Sequence, residues 1–227
     1  MTLYLYAIVD ARPPGPLGKG IARRPLDVAR VGRAWIVFER AAARPPTKTA
    51  LVAHDRVVRR VAGASSAVLP LRFGSTVADR AALAELVAPL SSGIGRALER
   101  VRGAAQLTLR VHGARAQRRI PEGAGPGTRW LAARFARSQV PEIAALTEAT
   151  RGLVREVRIQ RHDRDPERPP PPRRSATAHL LATVYHLVAR EDVARWRAAV
   201  ERALPHVAPV TVTATGPWPP YAFAELV

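Results

Sequence analysis

Four places in the chain hold side chains of the kinds that carry catalysis or bind metals. His54 and Asp55 put an imidazole beside a carboxylate, the pairing that a general base uses. Adjacent residues on a helix point about 100° apart, however, so the two are not a dyad, and His54 reads as a residue bonded within the fold. Gly63 to Ala67, GASSA, sets Ser65 and Ser66 in a small-residue turn. It stops short of G-x-S-x-G and follows a helix instead of a strand, so it supports no nucleophile elbow. His179 and His186 are separated by an odd number of positions along one strand, so they point to opposite faces and do not share a metal. Arg72 sits in an apolar strand, where a guanidinium asks for a carboxylate partner unless it snorkels past the sheet edge to water. No Walker loop, dinucleotide fingerprint or H-E-x-x-H is present, and no cysteine offers a thiolate. These residues point away from catalysis and imply no cofactor and no metal.

The charge balance points to partners instead. Lys and Arg number 36 against 18 Asp and Glu, a formal charge of +18, and such a surface attracts polyanions, whether nucleic acid, anionic lipid or acidic protein. The basic residues are almost all arginine, with lysine only at Lys19 and Lys48, and alanine, arginine and proline are abundant together. That pattern favours a compositional background over a dedicated polyanion site and predicts no sequence-specific nucleic-acid binding. The 227 residues suffice for one large or two small domains that bury roughly 70–75% of the unfolded chain's surface. Absence of cysteine fits a reducing compartment. The first strand has no basic flank and no cleavage pattern, and no apolar run approaches the ~18 residues of a membrane span, so a soluble cytoplasmic protein is expected.

Periodicity gives the elements that must position these side chains. In the stretch His54 to Gly74, Leu51, His54, Val58 and Val61 share one helix face and Arg56, Arg59 and Arg60 lie elsewhere, so that face must meet a sheet. A strand follows, with Leu69, Leu71 and Phe73 on one side and Val68, Pro70 and Arg72 on the other. Pro70 cannot donate to a ladder, which suggests an edge or a bulge. Upstream, Leu3 to Val9 is apolar on both faces and reads as a central strand. Arg12 to Pro25, with four prolines and three glycines, is a loop that is mobile or wrapped over the sheet, and Val31 to Arg40 is a second strand with Trp35, Val37 and Glu39 opposite Ile36 and Phe38. Downstream, Thr76 and Asp79 open a helix with the stripe Leu83, Val87, Leu90, Ile94, Leu98, Val101, weakened at Pro89 and closed by Gly103. Leu107, Leu109 and Val111 then alternate with Thr108, Arg110 and His112. This order predicts a two-layer α/β sandwich with crossover helices on one face.

The fold class expected is therefore α+β, built from two small α/β two-layer domains, residues 1–113 and 128–227, joined by a glycine- and arginine-rich linker at 114–127. In the second domain a helix from Thr128 carries Leu131 and Phe135 and breaks near Pro141, before Ile143 and Leu146 resume. Val157 and Ile159 mark an exposed strand, and the charged, proline-rich loop 163–174 cannot build a packed core and is expected disordered or extended. Ala176 to Val188 is apolar on both faces and reads as an inner strand, Val193, Trp196, Val200 and Leu204 form an amphipathic helix after it, and a last strand carries Val210, Val212 and Ala214. The tail 216–227 is stiffened by Pro217, Pro219 and Pro220, so it is expected to leave the sheet. Trp218, Tyr221 and Phe223 then dock it across the two domains with Trp218 as anchor, unless they stay exposed as a hook.

Three segments together resemble one known family. Leu3 to Val9, LYLYAIV, Val68 to Ser75, VLPLRFGS, after a helix with His54 and Val57-Val58, and Thr215 to Phe223, TGPWPPYAF, stand in the order found in the gas vesicle protein GvpL/GvpF family, and they span nearly the whole chain. The resemblance implies a ferredoxin-like variant for the first domain. It also implies a non-enzymatic accessory role, in which the protein binds the hydrophobic gas vesicle shell protein, alongside other gas vesicle accessory proteins, and assists nucleation or assembly of the vesicle wall. The residues it singles out for shell-protein contact or as structural signature are His54, Val58, Leu69, Pro70, Leu71, Arg72, Phe73 and Gly74. Pro217, Trp218, Tyr221 and Phe223 are the tail residues expected between domains. A cytoplasmic monomer associated with gas vesicles is expected. The alternative is a basic nucleic-acid-binding α/β module, which the charge permits but which lacks the aromatic strand motif that stacks RNA bases.

Overall fold

The computed structural model describes residues 2–113, 125, 127, 143–162 and 179–225. The chain is α+β and divides into two compact units, Met1–Gln106 with Pro217–Val227, and Leu107–Gly216.

The first unit is organised on β1 (Leu3–Val9), whose seven residues are all buried, as its two apolar faces require. β3 (Ala34–Glu39) flanks it on one side, with β2 (Asp27–Val31) beyond, and β4 (Val68–Pro70) and β5 (Thr76–Val77) pair with it on the other. All these pairs are antiparallel. Where the pattern suggested one strand from Val31 to Arg40 there is a hairpin, because Gly32 at φ +60° turns the chain between Val31 and its partner Ala34. Asp27–Val31, DVARV, is short and shows no alternation of apolar and polar residues.

Helix α1 (Lys48–Gly63) starts at Thr47, whose hydroxyl accepts from the Ala50 N–H at 3.2 Å. It buries His54, Val57, Val58 and Val61, and packs in one core cluster with Tyr4, Tyr6, Val9, Val37 and Val68. Leu51, expected on that face, is exposed; the buried stripe is the i, i+3, i+4, i+7 set that begins at His54. The strand expected as far as Phe73 ends at Pro70, at the sheet edge where a residue without an N–H is tolerated. Leu71 adds one further bond, from its N–H to the Tyr6 carbonyl at 2.9 Å, and the chain then turns through Gly74 at φ +87°. Beyond β5 the long helix is in two pieces, α2 (Arg80–Val87), capped by Asp79, and α3 (Ser91–Val101). A short 3-10 turn at Ala88–Leu90 separates them at Pro89, where the missing N–H cannot sustain the helix.

The second unit is built on β6 (Ala104–Gly113) from Leu107 on, α4 (Ala144–Thr150), β7 (Val154–Arg161), β8 (His179–Ala189), α5 (Val193–Ala203) and β9 (Thr211–Trp218) as far as Gly216. Its sheet has the order β7-β8-β6-β9, so β6, whose alternation suggested the last strand of the first domain, pairs in the second sheet. Leu107, Leu109 and Val111 of β6 meet Leu146, Val184, Trp196 and Val200 in a single core cluster. This is the β-α-β-β-α-β arrangement of a ferredoxin-like layer. The first sheet, β2-β3-β1-β4, has the same order, with residues 10–26 where the first crossover helix would lie, so it is a variant of the same layer. The helix expected from Thr128 to Pro141, the loop 163–174 and nearly all of the linker 114–127 lie outside the described residues.

Candidate functional site

The signature residues of α1 and of the turn after β4 meet around β1. His54 Nε2 lies 3.2 Å from the Leu71 carbonyl, which can only accept, so this nitrogen carries the proton. Nδ1 then accepts from the Tyr4 hydroxyl at 3.1 Å, and that hydroxyl in turn accepts from the Gly74 N–H at 2.9 Å. Tyr6 stacks on the imidazole at 5.2 Å between centroids, and Phe73 and Tyr4 meet it edge-on at 5.6 and 5.7 Å. Burial pushes His54 below its usual pKa, against the opposing influence of the Leu71 bond, which keeps the ring neutral as this network needs. Both nitrogens are thus engaged in holding helix, strand and turn together. Val58 is fully buried beside them, Leu69 is fully buried on β4 and Pro70 is buried at the edge, while Arg72 is exposed on the turn and pairs with no carboxylate among the described residues.

Asp55 points away from this cluster. One oxygen accepts from Arg59 Nε at 2.6 Å and the other from the Tyr221 hydroxyl at 3.1 Å. The Arg59 guanidinium lies over the Trp218 ring, 4.1 Å from its centroid. The tail is fixed further by Arg100, which donates to the Phe223 and Glu225 carbonyls at 2.6 and 3.1 Å, and by the Ala222 N–H, which donates to Gln106 Oε1 at 2.8 Å. All of these groups belong to the first unit. Gly216 to Trp218 remain in β9, an edge strand that accepts Pro217, so the chain leaves the sheet two residues later than the prolines suggested. Phe223, fully buried, is the deepest of the tail aromatics; Trp218, the expected anchor, is half-buried and Tyr221 is exposed.

Two polar assemblies escaped the sequence reading. Glu39, with no exposed surface, accepts from the Tyr6 hydroxyl at 2.8 Å, from the Ala22 N–H at 3.1 Å and from the Arg24 N–H at 2.8 Å. The Tyr6 oxygen accepts from the Ile21 N–H at 2.8 Å, so the proline-rich loop is wrapped over the sheet by one carboxylate and one phenol. A Cβ at Gly20 would lie 2.3 Å from Glu39 Oε2, which explains a glycine there. Near the end of β1, Asp10 accepts from Ser66 and Arg102, and from the Ala67 N–H at 3.1 Å. Burial alone would raise the Asp10 pKa, but these donors outweigh it and the carboxyl is lowered. An acidic residue on a strand within a strongly basic chain was the available signal for Glu39; its loop partners are too distant in sequence to be read from spacing.

In the second unit, the buried Trp196 indole donates to His186 Nδ1 at 3.0 Å, and burial pushes His186 from 6.5 down to about 4. Protonation would remove the acceptor and charge a dry site. The folded state therefore favours the neutral ring. Its contribution is complete above 6.5 and is lost as the pH falls from there towards 4, by roughly 3 kcal/mol in all. Urea unfolding at pH 7 and pH 4.5 is expected to show this loss, and His186→Asn, which keeps an acceptor for the indole, is expected to show a smaller acid-dependent fall. Equal pH dependence in the two proteins would contradict it.

Among the described residues no three His, Asp or Glu side chains gather as a metal would need, and no helix is long and apolar enough to cross a membrane. No curated protein sequence matches the chain. Among solved structures, the gas vesicle protein GvpF from Anabaena sp. PCC7120 is similar over 100% of this chain and 97% of that one, with a TM-score of 0.74 at 15% identity. GvpF from Microcystis aeruginosa is similar over 99% of both chains, with a TM-score of 0.73 at 16% identity. At this identity the likeness concerns the fold. The profile of the family described as "Gas vesicle synthesis protein GvpL/GvpF" matches residues 2–225, and the chain belongs to that family.

Proposed function

We propose that the protein is a non-enzymatic accessory factor of gas vesicle formation, which binds the hydrophobic shell protein and assists nucleation or assembly of the vesicle wall. The observation that carries this reading is the family match across residues 2–225. The geometry of the first unit supports it. On the outer side of α1, Leu51 is 44% and Val52 42% exposed, about one helical turn from Asp55, which holds the 37% exposed Tyr221. Apolar side chains beside Tyr, Trp and Arg are the composition of a binding surface. His54 and Val58, buried on the inner face of α1, fix the helix that presents this surface, and Leu69, Pro70 and Arg72 stand on β4 and the turn after it as further candidates. The protein acts as a monomer in the cytoplasm at the growing vesicle, with the shell protein and other gas vesicle accessory proteins as partners.

Co-precipitation of the full-length chain with purified shell protein is the test. The double substitution Leu51→Glu/Val52→Glu is expected to weaken capture at least tenfold and leave the melting temperature unchanged, since neither side chain is buried. Undiminished capture would remove this surface from the reading. The charge of +18 favours nucleic acid as the second reading. Attraction to random oligonucleotides is expected to collapse above roughly 0.2 M salt, and persistence beyond that would promote the second reading over the first.

A further inference from the structure

A different surface of the first unit has the form of a peptide groove. α3, the β2–β3 turn and the end of α2 enclose an open space of about 820 Å3 with a mostly apolar lining. Val31, Val87, Ile94 and Leu98 contribute its floor, and the last three are buried residues that fix the floor in place. Gly95 opens one wall, for a Cβ added there meets nothing within 4 Å. Arg33 and Arg96 line the same groove, are exposed, and pair with no carboxylate among the described residues. Arg102, also present, is already held by Asp10 and Glu99.

We propose that this groove binds a short amphipathic segment of an acidic protein partner, with aliphatic side chains on the floor and carboxylates on Arg33 and Arg96. Its volume is in the range that encloses several side chains. A second copy of this chain is a poor occupant, since each carries +18. Nucleic acid is also a poor one, because the floor is apolar and the lining includes no aromatic ring on which a base could stack. The site does not depend on the shell-protein reading, which concerns the outer side of α1.

The test uses the full-length protein and a phage-displayed library of random dodecapeptides, selected at about 0.15 M salt. Enriched peptides are expected to combine Asp or Glu with Leu, Ile or Phe. A synthetic peptide from the enriched set is expected to lose at least tenfold in affinity for Gly95→Trp, which fills the groove, and for Arg33→Glu/Arg96→Glu, which reverses its charge. Both variants are expected to keep the parent melting temperature. Failure to enrich any peptide, enrichment of basic sequences, or affinity unchanged in both folded variants would overturn the proposal. So would random oligonucleotide binding that these variants abolish, which would assign the groove to nucleic acid.

Discussion

Phe223→Ala is expected to destabilise the first unit by about 3–5 kcal/mol, the usual cost of deleting a wholly buried aromatic ring, and to lower the melting temperature by on the order of 10 °C. Its neighbours act differently. Trp218→Ala removes a half-buried ring and its contact with Arg59, a loss of about 1–2 kcal/mol. Truncation after Thr215 removes both, together with the carbonyls that Arg100 holds, and is expected to cost at least as much as Phe223→Ala. A melting curve unchanged by the truncation, combined with lost shell-protein binding, would show that the tail is a hook instead of part of the core. Chemical unfolding and co-precipitation on the same preparations separate the two.

Glu39→Ala carries the other large effect. The substitution strands the Tyr6 hydroxyl and the N–H groups of Ala22 and Arg24, and leaves a void under the loop. Each orphaned donor costs about 1–3 kcal/mol where water cannot reach it, and the loop opens to hydrate some of them, so the sum expected is about 3–5 kcal/mol. Limited proteolysis is expected to cut between Arg12 and Arg24 in the variant before the remainder unfolds. Glu39→Gln keeps the volume and one acceptor oxygen and is expected to lose about half as much. If Glu39→Ala unfolds at the parent denaturant midpoint, the carboxylate does not secure the loop.

Much of the fold follows from local pattern. The two apolar faces of Leu3–Val9 require a central strand, and Pro89 breaks the helix where its missing N–H dictates. Pro70 lies on an edge for the same reason. What local pattern does not carry is partnership at a distance. Alternation makes Ala104–Gly113 a strand but contains nothing about which sheet it joins. His54 was legible as a bonded residue, yet its bonds to Tyr4 and Leu71 depend on a turn that closes at Gly74. Aromatic content marked the tail, but which ring goes deepest is decided by the cavity, and Phe223 has no polar atom to keep wet whereas Trp218 has its indole N–H and a cation to face.

Because the first unit is made of Met1–Gln106 and Pro217–Val227, translation interrupts it. At ordinary elongation rates the ribosome needs roughly 5–20 s to deliver the intervening segment, and throughout that time the place of Phe223 is empty. A nascent chain, or one terminated before Phe223, therefore displays an unfilled apolar seat to chaperones and proteases until that residue has been made. The closing aromatic thus acts as a certificate, checked by packing, that synthesis has passed through the whole intervening unit.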